Sequence, residues 1–62
     1  MDRTERRNLA RKIAKAEKKY KKADSKDKQK IENEIIQLSS QIESLDDMIL
    51  IDEEIRKILL DN

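Results

Sequence analysis

Arg7, Arg11, Lys15, Lys18 and Lys22 recur at intervals of four, four, three and four. That spacing stacks side chains on one face of an α-helix. Lys21 lies beside the row, and Arg3 and Arg6 extend the charge toward the start. Five cations on a rigid rod can follow the phosphates of a nucleic acid with little sequence preference. No aromatic is interleaved with them to stack on bases, and no Gly-turned helix-turn-helix or zinc finger is present to read a groove. The competing role is a solvated basic face that complements acidic residues elsewhere in the fold. Acidic residues form the other cluster, Asp46-Asp47 and Asp52-Glu53-Glu54. Their oxygens suit a hard divalent cation weakly, and suit a solvated acidic face better.

Other chemistry is excluded by residue type. The chain has no His, no Cys, no Gly, no Pro, no Trp and no Phe. A Ser-His or Cys-His nucleophile therefore cannot be assembled. Zinc or haem cannot be held through His or Cys. A phosphate-cradling glycine loop cannot be drawn. The expectation is a protein without catalytic residues and without cofactor or metal.

These side chains need helices to position them. At 62 residues the chain is one small domain, 1–62. Without Gly and Pro the strongest turn signals are missing, and the remaining residues are mostly good helix formers. The expected class is all-α. Only 35% of residues are hydrophobic, with Tyr20 the single aromatic. So short a chain builds a marginal core by itself, and oligomerisation is the expected remedy. No apolar leader and no membrane-length apolar run is visible, so an intracellular, cytoplasmic protein is expected, with no membrane partner.

The first segment carries Leu9, Ile13, Ala16, Tyr20 and Ala23 in a 4-3-4-3 stripe, as in a narrow coiled-coil seam. Asp2, with Glu5 three residues on, marks a capped start. This predicts a first helix over about 3–23. A polar run, Asp24 to Lys30, follows and supplies the turn. Ile31, Ile35, Leu38, Ile42 and Leu45 then repeat the same spacing. An antiparallel helical hairpin would pair the two stripes residue by residue, from Ala23 with Ile31 to Leu9 with Leu45. The rival is one unbroken rod about 85 Å long, with Asp27 in its seam.

Charge supports the hairpin. Residues 1–30 hold 13 Lys/Arg against 5 Asp/Glu, a net of +8. Residues 31–62 hold 2 against 9, a net of −7. Halves of opposite sign attract each other, or offer a basic arm to an anionic partner.

After Leu45 the hydrophobic register slips. Met48, Ile49, Ile51, Ile55, Ile58 and Leu59 no longer follow the Ile31–Leu45 stripe. The second helix is expected over about 27–60, with a break allowed near 44–47, where Ser44 and Asp47 form a capping-box-like pair. A third helix from about residue 45 is the variant of this layout. Read as short strand material, Met48–Ile51 has no second strand to pair with. In the hairpin the first helix is used up at Leu45, so residues 48–60 overhang. Such an apolar strip marks an interface. The expectation is a homodimer that completes a helical bundle through Met48, Ile49, Ile51, Ile55, Ile58 and Leu59. The function expected from these residues is protein–protein binding with a regulatory role. Nucleic-acid binding through Arg7, Arg11, Lys15, Lys18 and Lys22 is the alternative.

Overall fold

The computed structural model describes residues 1–61 and is all-helical over that range. Three helices follow one another: α1 over Arg3–Lys22, α2 over Ser25–Ser39 and α3 over Leu45–Leu60. Each starts with the same device. An Asp or Ser side chain accepts a hydrogen bond from the backbone N–H three residues on, satisfying an amide that has no partner within the helix. Asp2 accepts from Glu5 at 2.8 Å. Asp24 accepts from Asp27 at 3.1 Å. Ser44 accepts from Asp47 at 3.1 Å. The acidic residue then stands in the first turn, where the helix dipole favours it.

α1 ends one residue before the expected limit because Ala23 turns extended, with φ −83° and ψ 154°, and Asp24 follows suit as the cap of α2. Lys19, Lys21 and Lys22 complement the negative end of the helix. This corner removes the continuous rod. The molecule spans 34 × 25 × 15 Å, far short of 85 Å.

The expected second helix is instead two helices. α2 stops at Ser39, ahead of the anticipated break. Ser40 donates its hydroxyl to the Gln37 carbonyl at 2.6 Å. The next amides tighten the turn, Gln41 N–H to Leu38 and Ile42 N–H to Ser39. The Ser40 hydroxyl, bonded back to the backbone, accounts for the stop. Ser44 then restarts the helix from an extended backbone, φ −123° and ψ 153°.

The direction of each helix follows from its neighbours. Gln41 lies beside Glu5 and Leu9, so α2 runs antiparallel to α1. Asp47 meets Arg6 at the start of α3, and Leu59 meets Tyr20 at its end, so α3 runs parallel to α1. Both α2 and α3 rest on α1, and their backbones do not approach each other. α1 is thus the shared helix of a fan, with neighbours on two sides.

The overhang expected for residues 48–60 is therefore replaced by docking within the chain. Ile51 and Ile55 join Leu9, Ala10, Ile13 and Ala14 in the core. The pairing of Leu9 with Leu45 is also corrected. Leu45 is the first residue of α3 and is 70% exposed. Ala10 and Ala14 explain the difference. Four residues apart, they add a second small-residue strip beside Leu9 and Ile13, and both are almost fully buried. Small side chains let a neighbouring helix come close, so α1 has room for two neighbours rather than one.

Candidate interaction surfaces

Two surfaces of different chemistry flank α1. The first is apolar and lies between α2 and α3. Because the backbones of those helices do not approach each other, a cleft of about 390 Å³ stays open over α1, lined by Glu17, Tyr20, Lys21, Glu32, Ile35, Ile36 and Leu59. Ile36 is 59% exposed there, and Ile35 and Leu59 are half-buried. Tyr20 borders the same cleft and carries the Lys28 ammonium 5.3 Å from its ring centroid, a cation–π contact.

α3 extends this surface. Successive helical residues are rotated about 100°. Met48 therefore falls between Ile55 and Leu59 around the helix, on the cleft side, and is 50% exposed. Leu45 and Ile49 lie further round on the outside, with Ile49 at 51%. Asp52 and Arg56 border them with an ion pair at 3.0 Å. Of the residues expected to face another chain, Met48 and Ile49 are exposed, and Ile58 and Leu59 are half-buried. Ile51 and Ile55 are packed in the core of their own chain. Ile36 and Tyr20 were not expected in an interface. The doublet Ile35-Ile36 was their signal, because a single seam can take only one residue of such a pair.

The second surface is the outer face of α1. Of the row anticipated from spacing, Arg7, Arg11, Lys15 and Lys22 are exposed and Lys18 is half-buried. None of the five is in an ion pair among the described residues, where the ion pairs involve the Met1 amine, Arg6 and Arg56 only. The acidic second half of the chain therefore does not neutralise this face by direct pairing. At its N-terminal end Arg3, Arg7 and Arg11 line a shallow depression with Thr4 and Asn8. A neighbouring hollow holds Arg3, Arg6 and Arg7 against Leu50, Glu53, Glu54 and Lys57 of α3. There Arg6 turns aside. Its guanidinium donates to Asp47 at 3.5 Å and to the Met1 carbonyl at 2.9 Å, clasping the start of α3 to α1.

Among the described residues no group of three or more acidic side chains is arranged to hold a metal ion. No described helix is long and apolar enough to cross a membrane. Compared with known proteins, the chain matches no family model, no curated protein and no solved structure.

Proposed function

We propose that the protein is a non-enzymatic helical interaction module that forms a homodimer and acts by protein–protein contact. One observation carries this reading. Ile36, Met48 and Ile49 are each at least half exposed, and Ile36 lines the open cleft between α2 and α3. The buried core, by contrast, comprises Leu9, Ala10, Ile13, Ala14, Ala16, Ile51 and Ile55, of which three are Ala. A fold so thinly packed gains from covering its open side, and a helix from a second copy would turn three helices into a four-helix core. The isologous arrangement lets each copy lay α3 along the other's cleft.

Sedimentation equilibrium tests it. The expected result is a dimer at micromolar concentration, shifted to monomer by Ile36→Glu with Met48→Glu while helical circular dichroism is retained. A well-folded monomer of the unaltered chain at that concentration would overturn the reading.

A further inference from the structure

We infer that the outer face of α1 is a docking surface for the phosphate backbone of double-stranded nucleic acid, anchored at Arg3, Arg7 and Arg11. The first support is chemical uniformity. Arg3, Arg7 and Arg11 line one depression together with Thr4 and Asn8. Guanidinium groups bind phosphate oxygens in bidentate fashion, and hydroxyl and amide donors commonly add to such contacts. Lys15, Lys18 and Lys22 continue the same face for about 28 Å from Arg3, at 1.5 Å per residue.

The second support is that these charges are available. None of Arg3, Arg7, Arg11, Lys15, Lys18 and Lys22 is in an ion pair among the described residues. Glu53 and Glu54 share the neighbouring hollow with Arg3 and Arg7, yet no pair within ion-pair distance forms between them. A positive row left unpaired in a protein of net charge +1 concentrates its field on one side.

The third support selects the partner. An anionic membrane would require apolar residues on the same helix to insert. Leu9 and Ile13 are buried in the core, so α1 has none to offer. Single strands are held largely by aromatic stacking. Tyr20 is the only aromatic, and it lies on the cleft side under Lys28. A straight cationic helix without stacking groups suits the regular backbone of a duplex. None of the six cationic residues of this face lines the apolar cleft, so the face does not depend on the proposed dimer.

The test is fluorescence anisotropy with a mixed-sequence duplex, titrated over about 50 to 200 mM salt. Five or six neutralised phosphates predict a slope of log affinity against log salt near −5. Arg7→Gln with Arg11→Gln should lower the magnitude of that slope by about 2. Lys15→Gln with Lys18→Gln should do the same, a second pair should the first disturb the helix. Lys26→Gln with Lys30→Gln, exposed on α2, should leave it unchanged. Failure to bind the duplex at the lowest salt would overturn the inference. So would a slope indifferent to both face pairs, tighter binding to single strands than to the duplex, or capture by phosphatidylserine vesicles without duplex binding.

Discussion

Ile51 shows what one side chain does here. It is 1% exposed, the largest fully buried side chain, and it packs among Leu9, Ala10, Ile13 and Ala14. Truncating such a residue removes transfer energy and leaves a void that a helix pair closes only in part. Ile51→Ala should cost about 2–5 kcal/mol, read from the urea midpoint, enough to unfold much of a chain this small. Leu60→Ala, at a position 83% exposed, should change stability by less than about 0.5 kcal/mol. At this scale the sequence was legible in kind and misleading in role. Leu9 and Ile13 were recognisable as core from their spacing. Ala10 and Ala14 were not, because alanine reads as a neutral helix former until a neighbour is known to press on it. Without them α1 seemed to have a single partner, and Ile51 and Ile55 seemed free for another chain.

The helices themselves were more readable than their ends. Capping side chains act within three residues, so Asp2 with Glu5 and Ser44 with Asp47 declared two helix starts from local sequence alone. The stop of α2 rested on Ser39-Ser40, a weaker signal, since serine tolerates a helix interior when its neighbours pack well. Ile42 continued the hydrophobic spacing past the break and hid it. Ser44 now carries the restart of α3, accepting from the Asp47 amide. Ser44→Ala should cost about 1 kcal/mol. The loss should be local: amide exchange in residues 45–48 should accelerate more than in α1. Equal acceleration throughout would mean that the cap acts on the whole fold and not on one helix end. Asp47 has a second tie, through Arg6, so this end of α3 is held by a cap and a clasp together.

Across the molecule, the charge split between the halves could not say whether they would neutralise each other. The structure leaves the outer face of α1 without ion-pair partners among the described residues, although Glu53 and Glu54 line a hollow with Arg3 and Arg7. That outcome depends on which way α3 turns after residue 44, where it packs on Ala10 and Ala14 and is clasped by Arg6 at Asp47. The same geometry predicts the behaviour of a shortened chain. A peptide of residues 1–43 keeps the complete α1/α2 hairpin but lacks Ile51 and Ile55, which cover the buried strip of α1. It should show far less helix by circular dichroism than the full chain, because isolated short helices are marginal in water. Full helicity in that peptide would show that the hairpin stands alone.

Dependence of two helices on a third has a consequence for the order of folding. α1 and α2 are joined by two residues, Ala23 and Asp24, so their encounter closes a short loop and is fast. The encounter of α1 with α3 closes a loop across the whole of α2, as the Arg6–Asp47 contact over 41 positions shows. Yet it is this slower closure that seals the core. The quick step is thus poorly rewarded and the rewarded step is slow to begin. A chain built this way should refold in a single exponential phase, with no hairpin intermediate accumulating before α3 arrives.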